Sequence, residues 1–168
     1  EALSTTVFLH LGTLFAVFAV FYKSLLGLVA ELWLTIRDIF TGKFRLDMAP
    51  RRRMLIMLIV SCLMLFVILP VKDQIEGLVG DGDIIIEGVC LLFTAALIVF
   101  GSRLAVPGGK GRTAGNMRAG DAVLIGLAQA AATLPGLSRS GSTISASLML
   151  GYEREYAFDY SFILGTPA

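Results

Sequence analysis

Apolar residues in this chain come in unbroken runs, not in the alternation of a half-buried strand, and each run is bounded by charge or by proline and glycine. The first extends from about Val7 to Tyr22 and stops at Lys23. From Leu25 to Phe40 the apolar residues are mixed with Glu31, Arg37 and Asp38, which predicts a separate amphipathic helix at a membrane interface, with Trp33 near headgroup level. A polar stretch carrying Lys43, Arg45 and Arg51-Arg52-Arg53 precedes a second run, Met54 to Leu69, closed by Pro70; a third runs from Ile84 to about Phe100. These three runs approach the ~20 residues needed to cross ~30 Å of hydrocarbon. The pattern therefore predicts transmembrane helices over about 7–22, 54–70 and 84–100, with the interfacial helix over about 25–40. In hydrocarbon only helices and closed barrels satisfy their backbone polar groups, and unbroken runs select helices. The expected fold is an all-α, polytopic membrane protein forming one helical domain.

The last third has a different pattern. Ala122 to Leu134 is short for a span and is broken by Pro135-Gly136; the polar run Leu137 to Thr143 leads into a second short apolar stretch, Ile144 to Leu150. Two short helices meeting at a polar break are the signature of a re-entrant pair that builds a binding site, expected here over about 121–151. A further helix begins at about 157 and continues to 168.

Charge orients these elements. Lys and Arg gather in the connections Lys23–Arg53 and Arg103–Arg118, the second with no acidic residue between Gly101 and Gly120, whereas Val71–Asp83 holds Asp73, Glu76, Asp81 and Asp83 against Lys72. The positive-inside rule places the first two connections in the cytoplasm and the third outside. Overall, 56% of the 168 residues are hydrophobic and 16% charged, and mean hydropathy is +0.80. Soluble domains carry about a quarter charged residues, so water is not the main solvent. The net charge of +1 forms no face for nucleic acid, and none is expected as a partner. Cys62 and Cys90 lie inside apolar runs and are read as packing residues. The chain opens at Glu1 without Met and stops inside an apolar run at Ala168, and it reads as a segment of a longer protein.

The polar break is where chemistry is expected. Pro135-Gly136 ends one helix and Ser138 or Ser140 can cap the next, whose first N–H groups attract anions. Gly141 would let backbone approach a ligand closely, Ser140, Ser142 and Thr143 add hydroxyls, and the fork of Arg139 matches phosphate oxygens. A charged residue at membrane depth costs about 2.5 kcal/mol or more, so it faces a cavity or a partner. The alternative is an ordinary turn with Arg139 in solvent. Gln129, just before the break, either supports this polar site or hydrogen-bonds a neighbouring helix. His10 is open to a proton-relay or phosphate role, or to supporting the site through a hydrogen bond. Glu87 is read as a satisfied carboxylate in preference to a metal ligand, and Arg51-Arg52-Arg53 as setting orientation against anionic lipid. Gly108-Gly109-Lys110-Gly111-Arg112-Thr113 fails the nucleotide-loop pattern, because Gly follows Lys110.

The segment Pro135-Gly136-Leu137-Ser138-Arg139-Ser140-Gly141-Ser142-Thr143-Ile144-Ser145 resembles the P-G-x-S-R-S-G-x-T signature of undecaprenyl-diphosphate phosphatases, the bacitracin-resistance family. Gly120-Asp121-Ala122 through Gln129, the region Gly151 to Glu155, and Phe8-Leu9-His10-Leu11-Gly12-Thr13 are also similar to it. The resemblance implies an inverted-repeat bundle in the bacterial cytoplasmic (inner) membrane, with a site opening to the external side. It implies hydrolysis of the polyprenyl diphosphate lipid to undecaprenyl phosphate in recycling of the cell-wall carrier. Arg139, Ser138 and Thr143 would be the catalytic residues, Arg139 gripping the diphosphate. Ser140, Gly141, Ser142, Gln129 and His10 would help to bind it. A divalent cation, Mg or Ca, is implied too. Its ligands are expected in the family's Glu-rich and Ser-Ser-Thr-Gly-His segments, upstream of Glu1, together with the nucleophile; no metal ligand is expected within these 168 residues, which alone are predicted to be inactive. The oligomeric state is left open. A secondary transporter or flippase holding an anionic substrate at the same broken helix is the competing reading, and a purely structural subunit leaves Arg139 beside its hydroxyl residues unexplained. Lipid phosphatases recognised by Ser-Arg followed by His are excluded, since no His follows Arg139.

Overall fold

A computed structural model describes residues 2–42, 49–68, 70, 74, 84–107, 110–134 and 136–166, without the side chains of residues 2–6, 9 and 10. Every named element among the described residues is helical, and the one β-type contact is an isolated parallel bridge between Arg112 and Tyr152. The acidic connection expected over Val71–Asp83 lies, apart from Gln74, outside the described residues.

Helix α1 runs without interruption from Ala2 to Phe40, 39 residues, or roughly 58 Å at 1.5 Å per residue. The expected stop at Lys23 and the separate helix over 25–40 are therefore corrected. One lysine ends an apolar run but does not break a helix, because neither Lys23 nor Ser24 removes a backbone donor or forces a positive φ. The stop comes at Thr41-Gly42, where Thr41 N–H bonds the Arg37 carbonyl at 3.0 Å and Gly42 takes φ +68°.

Helix α2 spans Pro50–Leu63, with proline in its first turn, where the missing N–H costs nothing. The three arginines are thus inside the helix. Arg52 is buried: its Nε donates to Glu31 Oε1 at 2.8 Å and its Nη2 to Asp38 Oδ2 at 2.7 Å. Arg51 lies over Gly27 of α1, and Arg53 donates to the Gly115 carbonyl. The reading of the whole triplet as lipid-facing is corrected on this point. Glu31 and Asp38 are seven residues apart, hence on one face of α1, and that face needs a cation more than it needs water.

Helix α3 spans Ile84–Leu104 and carries Arg103 in its last turn. Leu11–Phe40 of α1 and the whole of α3 are the stretches, among the described residues, that are long and apolar enough to cross a membrane. Both expose large apolar side chains, such as Phe15, Trp33, Ile84 and Leu92. Three short helices follow: α4, Ala119–Ala131; α5, Arg139–Met149; and α6, Arg154–Leu164. The first two flank the break expected at Pro135-Gly136, but the polar run expected from Leu137 to Thr143 is helical from Arg139 on, because Ser138 caps α5; Pro135 itself lies outside the described residues.

Small residues hold the bundle together. A Cβ on Gly126 of α4 would stand 2.6 Å from the Ser61 carbonyl oxygen of α2, and one on Gly101 of α3 would stand 3.0 Å from the Ser145 Cα of α5. Close backbone approach of this kind supplies packing where lipid weakens the hydrophobic drive between helices. Ser61 donates to the Ala122 carbonyl at 2.7 Å and accepts from the Tyr160 hydroxyl at 2.8 Å, joining α2, α4 and α6. Around this point Leu55, Leu58, Met117, Ile125, Tyr152 and Leu164 form the apolar core.

Candidate functional site

The inner ends of α4 and α5 meet at a break that is pinned to α3. Gly136 takes φ +83°, and a Cβ there would lie 2.8 Å from the Glu87 carbonyl oxygen, so only glycine fits both the dihedral and the space. Ser138 caps α5: its Oγ accepts from Gly141 N–H at 3.2 Å, while its own N–H donates to Thr94 Oγ1 on α3 at 3.2 Å. The next two N–H groups, of Arg139 and Ser140, are first-turn donors with no acceptor within the helix.

The outer ends are tied as well. Tyr152 donates to Asp121 Oδ2 at 2.7 Å, Arg118 N–H donates to the same oxygen at 3.0 Å, and the Arg112 guanidinium pairs with it too. Arg112 also stacks on the Tyr152 ring at 4.7 Å, and its backbone bonds Gly151 and Glu153 at 2.8 and 3.0 Å. Burial alone would raise the Asp121 carboxyl; the hydrogen bonds from Arg112, Tyr152 and Arg118 outweigh it and hold the group below the usual carboxylate range.

At the break end of the pair lies a cavity of about 510 Å³. Its polar lining comes from Thr13 of α1, Gln129 of α4, Arg139, Ser140 and Thr143 of α5, Ser161 of α6 and Thr166 just beyond it. Leu14 and Val17 of α1, Phe162 of α6 and Gly165 form the remaining wall. Helical spacing divides the motif into two faces. Positions 139, 140 and 143 turn to the cavity, whereas Gly141 packs on Thr94 and Ile98 of α3 and Ser145 packs on Gly101.

The sequence-derived candidates thus separate. Arg139, Ser140, Thr143 and Gln129 are brought together. Ser138 and Gly141 serve the α3 contact: the oxygen of Ser138 is committed to the cap, and the bare Cα of Gly141 admits α3, not the ligand expected there. Ser142 is buried away from the cavity lining. His10 lies on α1 one turn before Thr13 and Leu14, and its side chain is outside the described residues. Glu87 is exposed on the first turn of α3.

Gln129 is the most informative member. It is 1% exposed, and neither its Oε1 nor its Nε2 has a hydrogen-bond partner among the described residues. The alternative in which it bonds a neighbouring helix finds no partner there. A buried polar group left unsatisfied costs about 1–3 kcal/mol; here the amide faces a cavity large enough for a polar ligand. With one guanidinium, several hydroxyls, a carboxamide and no carboxylate in the lining, the donor set suits an anion. It does not suit a divalent cation, and no group of three His, Cys, Asp or Glu side chains able to hold a metal occurs among the described residues.

Ser161 and Thr94 were not singled out from the sequence. Each is a small hydroxyl residue among apolar neighbours, Phe93 and Ala95 for Thr94 and Phe162 to Leu164 for Ser161, and that is the signal that could have marked them.

The chain matches the family model described as bacitracin resistance protein BacA over residues 1–168. It is 38% identical over 168 residues to an undecaprenyl-diphosphatase of Bacteroides fragilis (strain YCH46), covering 99% of this chain and 57% of that protein. A Methanosphaera stadtmanae protein of the same name is 37% identical over 166 residues, covering 95% of this chain and 58% of its own length. One from Thermomicrobium roseum is 40% identical over 175 residues, covering 99% and 59%. The chain therefore spans less than two thirds of the length of these relatives.

Proposed function

Since the chain belongs to the bacitracin resistance protein BacA family, we propose that the protein containing it hydrolyses undecaprenyl diphosphate, the substrate in the relatives' printed name. In the net reaction water is added across the terminal anhydride bond, which breaks, and inorganic phosphate and undecaprenyl phosphate leave. The observation that carries this reading is the buried carboxamide of Gln129, without a hydrogen-bond partner among the described residues, facing a cavity that also holds Arg139, Ser140 and Thr143. Phosphoryl transfer depends chiefly on positioning and on neutralising charge spread over the equatorial oxygens. Arg139 and the first N–H groups of α5 neutralise that charge, and Gln129, Ser140 and Thr143 orient the head group. The apolar wall of Leu14, Val17 and Phe162 suits the start of a prenyl tail.

We further propose a multi-pass protein of the bacterial cytoplasmic membrane, supported by the length and apolarity of α1 and α3. In this reading α4 and α5 form a re-entrant pair within an inverted-repeat bundle, open to the external side. A divalent cation would supply added charge neutralisation, with its ligands and the attacking group coming from outside the described residues, since the cavity lining holds no carboxylate.

The test is phosphate release from undecaprenyl diphosphate by the complete reading frame containing these residues, purified in detergent with a divalent cation. Folded wild type should turn over, and folded Arg139→Ala should fall by roughly 10²-fold or more. Lipid binding by a folded wild type that releases no phosphate would replace this reading with a transporter.

A further inference from the structure

The polar side of the cavity has a member outside the sequence motif. Ser161 lies on α6, buried, and its hydroxyl contacts that of Thr143 on α5. Each hydroxyl has one proton to donate. Thr143 can turn its proton back onto the carbonyl of Arg139 at 3.0 Å or of Ser140 at 3.2 Å, and Ser161 reaches the Ser140 carbonyl at 3.5 Å. With the two oxygens in contact, one proton lies between them. The other is left to turn, and its protein acceptors are carbonyls already engaged by the helix's own N–H groups. An anionic oxygen in the cavity is a stronger acceptor than either carbonyl.

We propose that Ser161 is a further substrate-binding residue, acting with Thr143 as a single donor: one hydroxyl donates to the other, and the second donates to an oxygen of the diphosphate. This inference rests on the diphosphatase reading above. It makes α6 part of the phosphate site and gives α5 and α6 a shared ligand. The chain of donors runs across the α5–α6 contact, so neither hydroxyl works at full strength without its neighbour.

A double-mutant cycle in the complete reading frame tests it, with kcat/KM for phosphate release and the melting temperature read on Ser161→Ala, Thr143→Val and the pair. Each single change should lower kcat/KM roughly tenfold or more, the cost of a hydrogen bond to a charged group. The double variant should stay within about twofold of the worse single. Ser161→Cys keeps the two-atom side chain, with a somewhat larger terminal atom, and weakens the donor; its melting temperature shows whether it folds, and a folded variant should still lose activity, which covers the case in which Ser161→Ala fails to fold. Wild-type kcat/KM in Ser161→Cys, or losses that multiply in the double variant, would overturn the inference while leaving the diphosphatase standing. Absence of turnover by folded wild type removes the reading on which both depend.

Discussion

Tyr152 and Asp121 lie 31 positions apart in sequence, yet the phenolic hydroxyl donates to the carboxylate at 2.7 Å and fastens the end of α5 to the start of α4. With Arg112 on the same oxygen, this tie sits at the opposite end of the helix pair from the break.

The tie has a pH signature. In the folded protein the Asp121 carboxyl is held below its ordinary value, which is about 3.9 in an unfolded chain. The linked stability is therefore present in full above roughly pH 4 and is lost as pH falls through the lower, folded value. Asp121→Asn should melt lower at neutral pH and show a flatter acid limb. Thermal melts in detergent at neutral pH and below pH 4 would read it, and an unchanged acid limb would remove Asp121 as its cause.

At Gln129, stability and activity should move in opposite directions. Gln129→Leu replaces a buried amide that has no partner among the described residues by an apolar group of similar size, so stability should rise by about 1 kcal/mol. Phosphate release should fall tenfold or more if the amide binds the head group. Loss of both together would make Gln129 a packing residue.

Two helical glycines give opposite expectations. A Cβ at Gly126 meets the Ser61 backbone at 2.6 Å, whereas one at Gly88 meets nothing within 4 Å. Gly126→Ala should cost about 1–3 kcal/mol by forcing α2 from α4. Gly88→Ala should be neutral or gain up to about 1 kcal/mol from reduced chain entropy. Parallel melts of the two variants decide whether close approach or glycine itself matters.

Arg52 should be the least replaceable of its triplet. Removing its guanidinium leaves Glu31 and Asp38, both largely shielded, without their close hydrogen-bonded cation, and only the exposed Arg37 stays near Asp38, at 3.8 Å. Arg52→Gln should lower the melting temperature by several degrees more than the same change at Arg51, and Glu31→Gln in the Arg52→Gln background should recover part of the loss.

Much of this architecture was legible as pattern. Ile84 to Phe100 reads as a helix and is one, and the Pro135-Gly136 break followed by Ser138-Arg139 marks a helix end and a new start. What pattern could not supply was direction. The sequence offers Arg139, Ser140, Gly141, Ser142 and Thr143 together as a phosphate cradle, but a helix sends Arg139, Ser140 and Thr143 one way and Gly141 the other, with Ser145. Lys23 misled because charge ends a hydrophobic run more readily than it ends a helix. Arg52 was hidden because its partners lie on another helix; the seven-residue spacing of Glu31 and Asp38 was the only hint, and it needs a partner helix to acquire meaning.

The cavity wall joins Thr13, Leu14 and Val17 to Ser161, Phe162 and Thr166, positions separated by nearly the whole chain. Contacts of such long separation form late, because the intervening loop must be closed before they give anything back. During synthesis the side of α1 that carries Thr13 and Val17 therefore stays uncovered until Ser161 and Phe162 have been made, so this pocket closes only after α6 has joined the helices that precede it.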